Sequence, residues 1–386
     1  MEAFNFYLPT RIIGGRGAVR EKAPELLKNL GSRALIITGK SSAKKSGALD
    51  DIAAALGEAG VSYELFDGMG ENPLVSVCAK AGAAARENGA DFIIGIGGGS
   101  ALDGARASCV FAVNEFENPR DIYKLEFESA LPLVTIGTTA GTGSEVDAVS
   151  VLTDDETGLK KSVSKPFMFA RYAFCDYGYT LSMSLRQTVS TGLDALCHCL
   201  ESWFSKNSSE TSRLFSRRGV ELVYPRLVEI ASGNYSLQDE ALREDLYHGS
   251  LWGGFALAGA GAGFPHPAGY PFTEAGIFPH GVACAVFEKA FVEHSLKSAP
   301  ELWKKQLLDI TGGEAPLYAM LDKLTINNVS VSREACETII ERTATNKNAK
   351  RALGGFGFEE CRAIVESQFL DESQSEAFSG SWLLDR

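Results

Sequence analysis

The 386-residue chain contains no apolar run approaching the ~18 residues that a membrane-crossing helix requires. Its first residues, Met1 to Gly17, lack the basic stretch and apolar core of a secretory signal. No CxxC pair occurs, and the eight cysteines, at 78, 109, 175, 197, 199, 284, 336 and 361, form no disulfide-like framework. Scattered cysteines in a chain this long fit a reducing compartment, where a thiol serves as a small buried apolar group. The expected address is cytoplasmic. Basic charge is also in deficit: 37 Lys and Arg face 49 Asp and Glu, a net charge of −12. That balance excludes a broad basic footprint for nucleic acid or an anionic membrane, while leaving room for a local phosphate pocket. Histidine is scarce, with five in the whole chain.

What remains is an ordinary globular composition, 45% hydrophobic and 22% charged, in a chain long enough for two or three domains. The first half alternates strand-like and helix-like stretches. Ala34–Thr38, Val61–Phe66, Asp91–Ile96 and Leu131–Ile136 read as strands. Leu49–Ala59, Pro73–Asn88 and the stretch from Gly97 to Val113 read as helices or lead into them. Such alternation indicates a parallel sheet wrapped by helices. Residues 146–176 depart from it: Asp154–Gly158 is turn chemistry between two extended runs, which predicts a hairpin. After Asp176 the strand signal fades, and helices are expected over Ser184–Ser205, Ser212–Ile230 and Asp239–Leu257. The expectation is α/β plus all-α: an α/β domain over 1–182, then an all-helical domain over 183–386.

Three loops follow strands in the first domain. Gly97-Gly98-Gly99-Ser100 closes one strand and opens a helix, where glycines admit close backbone approach and N–H groups favour an anion. Ser100 is a candidate cap for that helix. The run is not a GxGxxG fingerprint, and taken alone it reads equally as a turn. Thr138-Thr-Ala-Gly-Thr-Gly-Ser-Glu145 interleaves hydroxyls and glycines, which suits phosphate or ribose, or simply a polar connection. Two such loops after neighbouring strands point to a ligand crevice at the strand carboxyl ends. The third loop, Gly39-Lys-Ser-Ser-Ala-Lys-Lys45, offers Gly39, the hydroxyls of Ser41 and Ser42, and lysines, with no acid to meet ribose hydroxyls. It favours NADP(H), unless it is only a solvated basic loop.

The histidines divide by context. Asp194 and His198 stand four apart on an expected helix, on one face, either as metal ligands or as a structural pair. His266 and His280 lie in Pro-flanked, glycine-containing stretches. Three histidines and one aspartate make a four-ligand set for Fe²⁺ or Zn²⁺ with room for a substrate oxygen. Cys197 and Cys199 flank His198 but point to other faces of the helix, as core or packing residues. His248 and His294 have no comparable context and read as structural or exposed.

Together these motifs resemble the iron-containing, or group III, alcohol dehydrogenases over essentially the whole length. The opening Phe4–Arg11 with Gly14 and Gly17, GGGSALDGAR (97–106), TTAGTGSE (138–145), STGLDALCHCLES (190–202), PHPAGYP (265–271) and PHG (279–281) follow in family order. The resemblance implies a dinucleotide-binding α/β domain of dehydroquinate-synthase-like architecture, followed by a helical metal-binding domain, in a homodimer. It implies Asp194, His198, His266 and His280 as ligands of Fe²⁺, with Zn²⁺ as the alternative. Cofactor contacts would fall on Gly98, Gly99, Ser100, Thr138, Thr139, Thr142 and Lys160, and Asp103 matches the acid of the GGGSxxD motif. The Gly39 loop looks like the NADP-accepting version seen in some bacterial butanol and propanediol dehydrogenases. Three positions depart from the pattern. Tyr270 replaces a second histidine and so becomes, with a cofactor ribose hydroxyl, a candidate proton relay. Arg106 replaces a usual lysine, and Tyr177 a usual proline. The expected substrate is a small alcohol or aldehyde. Alternatives are a glycerol-type polyol dehydrogenase, a lyase like dehydroquinate synthase, and a non-catalytic nucleotide-binding relative. No Lys or Arg cluster near His266 or His280 supports the lyase, and the complete ligand set opposes the non-catalytic reading.

Overall fold

The computed structural model describes residues 4–384. The chain forms two compact units, one over Leu8–Met183 and one comprising the segment ending at Tyr7 together with the chain from Ser184 onward.

The first unit is built on strands that are apolar at consecutive positions. In β2 (Arg33–Thr38) and β4 (Phe92–Gly97) all but Arg33 are buried, so both faces of the sheet must be covered. Alternate residues serve opposite faces. Leu35, Ile37, Ile93 and Leu133 join one apolar core, while Ala34, Ile36, Phe92, Ile94 and Val134 join the other. With β1 (Arg11–Gly14), β3 (Ser62–Phe66), β5 (Leu133–Gly137) and β8 (Tyr172–Cys175), they form one parallel sheet in the order β1-β8-β5-β4-β2-β3. The expected hairpin is present as antiparallel β6 (Val149–Thr153) and β7 (Lys160–Ser164). Strands β1 and β8 were not anticipated. Each has four residues, and each is held by partners distant in sequence, which leaves no local periodicity to read.

The second unit is dominated by the helices Leu185–Trp203, Glu210–Ser232 and Glu240–Ala260, followed by shorter ones. The Leu185–Trp203 helix begins with a reciprocal cap: Gln187 N donates to Ser184 Oγ, and Ser184 N donates to Gln187 Oε1. The expected helical domain is present, with one small addition. Antiparallel β9 (Ser330–Val331) and β10 (Phe378–Ser379) add a small sheet, too short for a hydrophobic period to reveal. The segment ending at Tyr7 groups with the helical unit rather than with the α/β unit. Phe6 packs on Phe215 of the helical unit, with ring centroids 5.2 Å apart. Among the described residues no helix is long and apolar enough to cross a membrane.

Candidate active site

The Leu185–Trp203 helix is buried on every side from Gly192 to Trp203, so each polar side chain there must find partners inside the protein. Three of them, Asp194, His198 and Glu201, lie on successive turns. His266 comes from the first turn of the Pro265–Glu274 helix, and His280 opens the His280–Ala285 helix.

Glycines bring these helices together. A Cβ on Gly281 would lie 1.8 Å from Ser190 O and 2.9 Å from Asp194 Cβ. One on Gly269 would lie 2.6 Å from Ala283 O, and one on Gly253 3.4 Å from His198 Cβ. The glycine of the PHG sequence is therefore a contact surface for the helix that carries Asp194. Gly219 does the same for Cys199, whose sulfur would be 2.3 Å from an added Cβ. That places Cys199 in helix packing.

The four expected ligands converge. The Nε2 atoms of His198, His266 and His280 lie 3.8, 3.6 and 3.7 Å from Asp194 Oδ1. The Nε2 atoms of His198 and His266 are 3.0 Å apart. Asp194 Oδ1 is buried and, among the described residues, has no hydrogen-bond partner within range. Oxygen and nitrogen ligands at about 2.0–2.2 Å from one ion stand roughly 3–4 Å from each other. The spacing and donor types thus fit a divalent cation such as Fe²⁺ or Zn²⁺. Burial alone would raise the Asp194 carboxyl, but the three imidazoles hold it well below the ordinary carboxylate range.

Cys284 is also near, yet its sulfur is 3.9 Å from Nδ1 and 4.0 Å from Nε2 of His280. Near-equal distances place it beside the ring rather than along the Nε2 lone pair. Tyr270 stacks on His280 with centroids 6.0 Å apart and planes 19° from parallel. Burial raises its phenol above the usual range. His294 packs on Phe356 instead, centroids 4.4 Å apart.

Sequence reading missed Glu201. It is fully buried; Oε1 lies 2.6 Å from His266 Nδ1, and Oε2 accepts from Gly263 N at 2.6 Å. Its signal was available as the third residue after His198, one turn on along the same face. Burial opposes a charge on His266, but Glu201 and Asp194 outweigh it and push the imidazole up to about 10.

In the α/β unit the two glycine-containing loops meet. Strands β4 and β5 pair through Gly97 and Gly137, and Thr138 N donates to Gly97 O at 2.9 Å. A Cβ on Gly98 would lie 3.0 Å from the Thr139 side chain, and one on Gly99 2.7 Å from Thr142 Cγ2. Thr138 Oγ1 is buried without a hydrogen-bond partner among the described residues. A bare backbone ledge beside an unsatisfied hydroxyl fits a phosphate or ribose ligand. Ser100 does not cap the helix that begins at Gly99; its Oγ accepts from Asn72 N at 3.2 Å. The Gly39 loop folds into the short Ser42–Lys45 helix, with Lys40, Ser41, Lys44 and Lys45 exposed. Ser42 Oγ is 3.8 Å from where a Cβ on Gly97 would stand. Lys160 opens β7, opposite Thr153.

Asp103 faces the protein rather than an open ledge. It accepts from Ser144 Oγ at 2.6 Å, Val151 N at 2.9 Å and Arg106 Nη1 at 3.1 Å. Arg106 is fully buried and also bonds Ser144 O, Ser144 Oγ and Val149 O. The pair clamps the end of the Thr138–Glu145 loop to the Gly99–Val113 helix.

Comparison with known proteins agrees with this arrangement. Residues 9–177 match the model of the iron-containing alcohol dehydrogenases, and residues 188–347 match the model of the C-terminal part of the Fe-containing alcohol dehydrogenase family. The long-chain-alcohol dehydrogenase 1 of Geobacillus thermodenitrificans is 31% identical over 371 residues, covering 94% of this chain and 88% of that one. An NADPH-dependent butanol dehydrogenase of Clostridium saccharobutylicum is 28% identical, over 78% of this chain and 76% of its own. The crystal structure of an iron-containing alcohol dehydrogenase from Thermotoga maritima superposes with a TM-score of 0.86 at 35% identity, covering 95% of this chain and 99% of that one. With a parallel-sheet unit, a buried Asp–His₃ cluster and these matches along both units, the chain belongs to the iron-containing alcohol dehydrogenase family.

Proposed function

We propose that this chain interconverts a small alcohol and its aldehyde using NADP(H) and a divalent metal held by Asp194, His198, His266 and His280. The observation that carries the reading is the buried, unsatisfied Asp194 oxygen ringed by three imidazole nitrogens. When bound, the metal supplies Lewis acidity toward the substrate oxygen, and the nicotinamide carries the hydride. The chain's residues do the rest. Gly98 and Gly99 admit a pyrophosphate to the backbone at the start of a helix, while Thr138, Thr139, Thr142 and Lys160 supply hydroxyls and charge around it. Asp103 supports this loop from behind. Gly39, Ser41 and Ser42, with Lys40 and Lys44 beside them, favour a ribose 2′-phosphate, because no acid stands in that loop to repel it. Tyr270, stacked on His280, is the side chain assigned to pass a proton to or from the substrate oxygen. A homodimer in the cytoplasm completes the reading, and the eight buried cysteines suit a reducing environment.

The decisive assay is anaerobic NADPH oxidation with butyraldehyde, on chelator-stripped protein with Fe²⁺ or Zn²⁺ restored. Metal-dependent turnover is expected. Absence of turnover with any short aldehyde, using either NADPH or NADH, would sink the reading and favour a lyase or a non-catalytic nucleotide binder.

A further inference from the structure

Glu201 is a fully buried carboxylate, a placement that costs several kcal/mol unless charged or hydrogen-bonding partners answer it. Its two oxygens have separate duties. Oε2 accepts from Gly263 N at 2.6 Å, fixing the backbone just ahead of the Pro265–Glu274 helix. Oε1 meets Nδ1 of His266 at 2.6 Å, fixing the rotation of the ring that helix carries. The other ligand-type groups of this pocket are Cys197 and Glu288, whose ligand atoms and that of Glu201 lie within 4.8 Å of one another. Neither is a cation. Glu288 is buried beside Cys197, and the His266 Nδ1 position is taken by Glu201 rather than by Glu288. The hydrogen bonds of Glu201 go to His266 and the Gly263 N–H.

We propose that Glu201 is the positioning residue of the metal centre: it holds the His266 proton on Nδ1, so that Nε2 presents its lone pair beside Asp194 Oδ1. A ring nitrogen bonded to a carboxylate fixes the tautomer, and the same bond increases the electron donation of the other nitrogen. Without it the ring could present either nitrogen and turn about its Cβ–Cγ bond. This inference rests on the metal-site reading, and it adds a residue that does not itself touch metal or substrate.

Two measurements test it. First, stripped wild type and Glu201→Gln are titrated with Co²⁺ against a competing chelator, following the visible d–d bands, with circular dichroism as the check on folding. The amide keeps the shape and removes the charge. Metal affinity about 10–100-fold weaker with shifted bands is expected, in a variant that is still folded. Equal affinity and identical bands in the two proteins overturn the role of Glu201. No Co²⁺ uptake by wild type overturns the metal reading itself, which distinguishes the two failures. Second, Zn²⁺-loaded wild type labelled with ¹⁵N-histidine is examined by two-bond ¹H–¹⁵N correlation, assigned with His266→Ala. His266 is expected with its proton on Nδ1, shifted downfield by the carboxylate, and a proton on Nε2 overturns the proposal. This second measurement needs no folded Glu201 variant.

Discussion

At the scale of single residues, the candidate site depends on charges that answer one another within a few ångströms. His280 is the most exposed of the three candidate ligand histidines, with about a third of its side chain accessible, against about a twentieth for His198 and His266. It can thus be removed without opening a large internal void. His280→Ala is expected to stay folded, lose most bound metal and lose nearly all turnover; wild-type-like activity would refute its ligand role. A second residue-level effect concerns Asp147. Burial pushes its carboxyl up to about 7, against the pull of nearby Arg106 and with Asp103 adding to the rise. The folded value lies above the 3.8 of an unperturbed aspartate. Its contribution to stability is therefore full below about pH 4 and is lost as pH rises through about 7. Asp147→Asn keeps an acceptor for Val149 N and removes the titration. Between about pH 5 and about pH 9, thermal unfolding should shift in favour of the variant by on the order of 1–3 kcal/mol. Parallel pH profiles for the two proteins would rule this out. Gly39→Asp is expected to cut NADPH efficiency about tenfold or more relative to NADH, roughly 1.4 kcal/mol of discrimination. A Cβ there would stand 3.3 Å from Met69 O, so Gly39→Ala is the control that separates crowding from charge.

At the scale of elements, glycine contacts govern how closely the ligand-bearing helices approach. Gly281→Ala would drive a methyl group into Ser190 O, a backbone atom that no rotamer change can move. Overpacking of this kind costs about 1–3 kcal/mol. Here it should also part His280 from Asp194, so metal retention is expected to fall more steeply than helical content. Metal analysis and circular dichroism on the same sample test this, and full metal retention would show that the approach is not needed. The same elements explain what the sequence could and could not disclose. The long helices and the buried strands β2, β4 and β5 were legible because their apolar patterns extend over enough residues. The pairing of Asp194 with His198 was legible from their four-residue spacing, and the convergence of His266 and His280 on them from residue type and family order. Strands β1 and β8 were hidden because parallel pairing with a distant partner leaves no turn signal nearby. Glu201, though one turn past His198 on the same face, was passed over because a buried acid looks like any surface acid until its two partners are seen. Ser100 was misread because a serine near a helix start resembles a cap, although the helix begins one residue earlier.

At the scale of the whole molecule, the candidate groups are partitioned. The Asp–His₃ cluster belongs to the helical unit, and the Gly98 and Thr138 loops belong to the α/β unit. Each ligand should therefore stabilise its own unit by mass action, about 2.7 kcal/mol at a free concentration a hundredfold above its dissociation constant. In calorimetry, chelation is expected to lower the transition of the helical unit, and NADP(H) to raise that of the α/β unit. A thermogram indifferent to metal would contradict the assignment of the cluster.

The packing of Phe6 on Phe215 makes the helical unit discontinuous in sequence: it draws on chain from both sides of the α/β unit, which is an insertion within it. Phe6 is thus synthesised long before its aromatic partner, with the whole Leu8–Met183 unit made between them. Dissecting the protein at the single junction near Ser184 would not yield two whole domains. It would yield a helical unit without the Phe6 segment and an α/β unit carrying that aromatic segment without its partner.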